Sequence, residues 1–111
     1  MDILISAHGE NASMILEDAE AYFSQKFSDK EFTWKHSGPT CTTSFDTGEK
    51  EITEAFEELV KKYPELNVSA YYSYDVREDD RSAQWWGSTK IYSEKENGET
   101  RIVSSSSTYW N

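Results

Sequence analysis

Asn97-Gly98 lies between two stretches of alternating side chains, and it constrains this chain more than any other dipeptide in it. Asn and Gly both tolerate the positive φ of a two-residue hairpin turn, so the flanking strands are predicted to pair in one register. That register sets Glu94 opposite Arg101, Trp85 opposite Trp110 and Trp86 opposite Tyr109. A second turn, at Asp79-Asp80, sets Trp85 opposite Tyr74 and Trp86 opposite Ser73. With both turns in place, Val68, Ala70, Tyr72, Tyr74, Val76, Ala83, Trp85 and Ile91 fall on a single face. A slip of one residue would scatter this apolar set across both faces, so the two registers support each other.

Adjacent strand residues point to opposite faces. Trp85 is therefore expected in the core and Trp86 on the other face. There it joins Tyr71, Tyr92, Val103 and Tyr109, among Ser69, Ser73, Ser88, Ser105 and Ser107. Large rings rimmed by small polar side chains have the makeup of a binding hot spot. Aromatic residues also stabilise strands without binding anything. Tyr71, Trp86, Tyr92 and Tyr109 are accordingly candidate protein-binding residues, with sheet stabilisation as the competing explanation.

The rest of the chain supplies the other elements. Residues 2–8 read as a strand with Ile3, Ile5 and Ala7 on one side. Asn11 is a suitable N-cap for a helix over 12–27, with Ala12, Ile15, Ala19, Tyr22, Phe23 and Phe27 as its apolar stripe. Residues 32–37 and 41–46 flank a Gly-Pro-Thr turn and predict a hairpin, with Phe32 meeting Phe45 and His36 meeting Cys41. A second helix is predicted over 47–64, capped by Thr47, stopped by Pro64, and buried along Ile52, Ala55, Phe56, Leu59, Val60 and Tyr63. A strand over 67–77 follows. The order β-α-β-β-α-β plus two further strands predicts an α+β domain spanning residues 1–111. Its expected form is ferredoxin-like, with a C-terminal β-hairpin extension and both helices on one face of an antiparallel sheet.

Charge narrows the function classes. The chain carries 21 acids against 11 bases, a net charge of −10, which weakens the case for direct binding to nucleic acid or an anionic membrane. Glu51, Glu54 and Glu58 line one side of the second helix. They form either a solvated face, balanced by Glu57–Lys61 and Glu58–Lys62 pairs, or a phosphate-like array aimed at a basic partner. A single cysteine, Cys41, excludes an internal disulfide and fits a reducing compartment. The opening residues, MDILISAHGEN, have neither a basic segment nor a long apolar run. Neither a signal peptide nor a membrane span is expected, and the cytoplasm is the expected location.

Chemistry-bearing constellations are sparse. His8 and His36 are the only histidines. A Cys41–His36 pair has no third partner for a nucleophilic triad, and two His with one Cys lack zinc-ligand spacing. DVREDD lacks the glycine of a calcium loop. No catalytic residue, metal or cofactor is expected.

The stretch from SFDTGEKEITEAFEELVKKYPELNVSAYYSY to GSTKIYSEKENGE, roughly residues 40 to 100, resembles the YubB ferredoxin-like domain family. The matching features are Phe45 before a short turn, a helix ending in KKYPEL, the AYYSY strand, Gly87 and the NGE turn. The resemblance implies the same fold and an origin on plasmids, phages or related mobile elements. It implies no catalytic residues.

Two functions from different classes follow. One is a non-catalytic acidic binding protein that engages a protein partner, as a phage or plasmid inhibitor would, nucleic-acid mimicry and homodimerisation included. The other is a small-ligand or nucleotide-binding module that uses the open sheet face.

Overall fold

Six alternating segments and two amphipathic ones meet in one antiparallel sheet with a helical layer. The computed structural model describes the backbone of residues 1–78 and 81–110, and the side chains of residues 1–72 and 87–107. In chain order the elements are β1 (Asp2–Ala7), α1 (Ala12–Lys26), β2 (Lys35–Ser37), β3 (Thr40–Ser44), α2 (Glu49–Lys62), β4 (Leu66–Glu78), β5 (Arg81–Glu96) and β6 (Glu99–Trp110). The six-stranded sheet runs β2-β3-β1-β4-β5-β6, and every neighbouring pair is antiparallel. The fold is α+β.

Both C-terminal registers match those expected from the turns. Asn97 (φ 53°) and Gly98 (φ 81°) take the left-handed conformation that a tight hairpin requires. Trp85 pairs with Trp110, Trp86 with Tyr109 and Glu94 with Arg101. On the other side Trp85 pairs with Tyr74 and Trp86 with Ser73. Arg101 donates to Glu94 at 3.2 Å and also lies 3.4 Å from Glu96. The expectation that Trp85 is buried and Trp86 exposed concerns side chains outside the described residues.

Parity then assigns the core. Ile3, Ile5, Ala7, Cys41, Val68, Ala70 and Ile91 form one buried cluster with Ile15, Leu16, Ala19 and Phe23 of α1 and Ile52, Phe56, Leu59 and Val60 of α2. One face of the sheet thus carries both helices. Phe23 is fully buried and holds ring contacts with Phe27, Phe32, Trp34, Phe45 and Phe56, with centroids 5.9–6.4 Å apart. Burying one such ring contributes about 1.5–3 kcal/mol relative to leaving it exposed.

Three local expectations need correction. Gly48 rather than Thr47 holds the N-cap position of α2. A Cβ at Gly48 would run into the Glu51 carboxylate, so glycine leaves room for that acid to fold back over the first turn, where the helix dipole favours it. Asn11 does sit at the N-cap of α1, but its side chain makes no capping bond, and its carbonyl accepts the Ile15 N–H at 3.0 Å. The strand expected over 32–37 pairs only from Lys35. Upstream of it, Phe32 packs edge-on against Phe45 at 4.8 Å, and the Thr33 carbonyl accepts from the Thr43 hydroxyl at 2.9 Å in place of a ladder bond.

Tyr72 anchors the sheet to α2. Its ring lies across the glycine opposite, since a Cβ at Gly87 would come 2.6 Å from Tyr72 Cζ, and its hydroxyl donates to Glu49 at 2.5 Å. Two stability tests follow. Phe23→Ala is expected to cost about 3–5 kcal/mol in urea unfolding, because five neighbouring rings lose their common partner. Gly87→Ala is expected to cost about 1–3 kcal/mol through overpacking. That cost should shrink in a Tyr72→Ala background, and an unchanged cost in the double mutant would show that the Tyr72 ring is not its source.

Candidate functional site

The face opposite the helices has no covering layer among the described residues. Its side chains come from even positions of β1, β3 and β5 and odd positions of β4 and β6, in rows across the sheet. One row reads Ser44, Asp2, Tyr71, Ser88, Ser107; the next reads Thr42, Leu4, Ser69, Lys90, Ser105; the third reads Thr40, Ser6, Asn67, Tyr92, Val103. Tyr71 is 50% exposed, whereas Tyr72, its neighbour in sequence, is buried on the other face. Small hydroxyl residues beside Tyr71 leave its ring uncovered, and Ser88 and Ser107 bond to each other at 3.1 Å.

The expected aromatic set does not form one contiguous group among the described residues. Tyr92 stands two rows from Tyr71, roughly 13 Å along the strands at a rise of about 3.3 Å per residue. The Ser69–Lys90 row lies between them, and Lys90 Nζ sits 5.6 Å from the centre of the Tyr92 ring. Tyr92 is half-buried and paired with a cation rather than with Tyr71. The Trp86 and Tyr109 side chains lie outside the described residues.

Tyr71 instead belongs to a cleft of about 510 Å³ lined by Asp2, Leu4, Glu31, Thr33, Lys35, Thr42, Ser44 and parts of Ile3 and Thr43. The cleft forms where the irregular segment 31–34 runs beside β3 with its odd-numbered side chains on the open side. Leu4 and the Tyr71 ring supply an apolar floor, the threonines and Ser44 supply hydroxyls, and among the described lining residues Lys35 is the one cation, with Asp2 and Glu31 as acids. Alternation along residues 32–36 puts Thr33 and Lys35 on the face opposite Phe32, Trp34 and His36, and that is the signal present in the sequence. It had no means of bringing β1 and β4 beneath them.

The acidic candidates lie on α2, in the layer on the other side of the sheet. Glu51, Glu54 and Glu58 are all exposed. Glu58 is not part of a free row: it accepts a hydrogen bond from Tyr22 and lies 3.7 Å from Lys26, both on α1. The Glu58–Lys62 pair expected within the helix gives way to this contact between helices. Tyr63 adds a second link by donating to Asp18 at 2.8 Å. The Tyr22 hydroxyl and Lys26 hold the Glu58 carboxyl below its ordinary value of 4.5.

Cys41 and His36 are cross-strand partners, but they do not form a reactive pair. The His36 imidazole is exposed and reaches Glu20, with Nε2 2.5 Å from Oε1. Cys41 is fully buried, and burial, with Glu20 adding to it, pushes its thiol up to about 12. Among the described residues no group of His, Cys, Asp and Glu is arranged to hold a metal, and no helix is long and apolar enough to cross a membrane.

Two measurements check these electrostatics. Cys41 is expected to alkylate at least ~100-fold more slowly in the native protein than in urea at pH 7.5, since thiolate is the reactive species. Equal rates would place the thiol at the surface. For Glu58, a lowered folded pKa means that stability is present above pH 4.5 and is lost as pH falls through the folded value. Glu58→Gln should therefore flatten the acid limb of the stability curve while leaving the limb above about pH 6 parallel to that of the wild type.

No family model matches this chain, and no curated protein matches it. Among solved structures it is similar to a crystal structure of a protein from Thermus thermophilus, at 11% identity and a TM-score of 0.40 over 81% of this chain. This chain spans 16% of the length of that protein.

Proposed function

We propose that this is a non-catalytic acidic binding protein whose open sheet face receives a protein partner, in the manner of an inhibitor carried by a phage or plasmid. The observation that carries the reading is Tyr71: a half-exposed ring at a cleft, on the one sheet face the helices leave bare. Aromatic anchors in such settings dominate binding energy at protein interfaces. Trp86 and Tyr109, expected on this face from the sequence, belong to the same proposal, with Tyr92 as an outlying contact. The ferredoxin-like fold and membership of the YubB-like group belong to the same proposal. The element order and the β2-β3-β1-β4 arrangement support the fold, with β5 and β6 as the hairpin extension, and the family membership rests on the sequence resemblance alone.

In the mimicry version of this reading, α2 presents Glu51 and Glu54 to a basic partner, because Glu58 is engaged by Lys26 and Tyr22. The small-ligand reading rests on the cleft, whose volume falls in the range of ligand pockets. It requires Lys35, Asp2 and the hydroxyls to act together.

Affinity capture followed by calorimetry on the recovered partner separates these versions. Tyr71→Ala is expected to weaken binding by about thirtyfold or more, about 2 kcal/mol, with thermal stability nearly unchanged because the residue is half exposed. Loss with Glu51→Gln and Glu54→Gln, but not with Tyr71→Ala, would move the interface to the helices. A partner indifferent to both sets would overturn the proposal.

A further inference from the structure

The two edges of the sheet are treated differently. Edge β2 is three residues long, and the chain before it is irregular, so that edge offers little to pair with. Edge β6 is 12 residues long and is the last strand in the sheet order. Proteins that stay monomeric protect such an edge with Lys, Pro, a bulge or inward charge. β6 has none of these. Its ladder with β5 runs without a bulge from Glu99 to Trp110, and the charges it carries lie at its start, where Arg101 is held by Glu94 and Glu96. In a chain with 21 acids, residues 100–111 contain none.

The turn also determines which backbone groups are free. A two-residue turn makes its flanking pair, Glu96 and Glu99, a hydrogen-bonded pair, and such pairs recur at every second residue. Arg101, Val103, Ser105 and Ser107 therefore point their N–H and C=O groups at β5. Thr100, Ile102, Ser104 and Ser106 point theirs outward, into the open edge. Ser104 to Ser107 are all exposed.

We propose that this edge pairs with β6 of a second copy, antiparallel about a two-fold axis near Ser104 to Ser106. Three observations argue for an identical occupant. The strand is self-complementary, because its exposed centre is a run of serines that clashes with nothing. The Ser88–Ser107 contact at 3.1 Å shows serine pairing across strands of this same sheet. The acid-free stretch is also the place where two copies of net charge −10 meet with least repulsion. Such an axis keeps both helical layers on one side and joins the two open faces into one surface. Edge and face are separate, so this pairing stands whether or not the face binds a partner.

The test uses the whole 111-residue chain. Sedimentation equilibrium is expected to give a dimer that tightens with added salt, since like net charges are screened. Ser106→Pro removes one outward N–H per copy and spares the β5–β6 ladder. It is expected to weaken dimerisation roughly tenfold or more, while Ser106→Thr, which keeps the N–H, leaves it near the wild type. Amide hydrogen exchange of the wild type gives a check that does not depend on a variant folding. The Ile102, Ser104 and Ser106 amides are expected to be protected, with protection falling on dilution. A monomer at several hundred micromolar, or fast exchange at these outward amides, would overturn the proposal; so would a Ser106→Pro variant that dimerises as well as the wild type.

Discussion

The alternation of the strand ladder governs nearly everything else in this molecule. Paired residues on neighbouring strands share a face while successive residues along a strand alternate, so one register decides core or surface for a whole strand at once. β1 carries the heaviest consequence because it is central, with β3 on one side and β4 on the other. Its Ile3, Ile5 and Ala7 meet Thr43 and Cys41 on one flank and Ala70, Val68 and Leu66 on the other. The helices can then cover only one side.

Two helices provide one covering layer. Its centre is Phe23, and the ring contacts around it draw Phe32 and Trp34 inward, although their segment does not pair as a strand. The outward side of that segment, meeting β1 and β3, creates the cleft beside Tyr71. The ring packing around Phe23 and the cleft beside Tyr71 therefore share a cause. Charge follows the same division: acids gather on the helices and in the turns, and the final strand is left nearly neutral.

Much of this was legible in the residues. Asn97-Gly98 and the apolar alternation gave the β4–β5–β6 registers to the residue, and apolar spacing placed both helices to within two residues at each end. The misreadings arose where non-local contacts compete with local rules. Thr47 has the better capping side chain, yet Gly48 takes that position because Glu51 folds over it. Residues 32–34 alternate as a strand should, but Thr33 gives its carbonyl to the Thr43 hydroxyl. Glu58 has Lys62 four residues away, but α1 brings Lys26 and Tyr22 to it.

The sequence by itself determined the order of elements, the side of each strand that faces inward and the absence of acid beyond Glu99. These follow from turn chemistry and periodicity, which act over a few residues and need no knowledge of the rest of the chain. Only the tertiary structure decided that β1 lies between β3 and β4, that Tyr71 borders a cleft with Leu4 and Lys35, and that β6 is left at an edge. Each of these depends on contacts between residues distant in sequence, such as Asp2 with Tyr71, and no local pattern encodes which distant strands become neighbours.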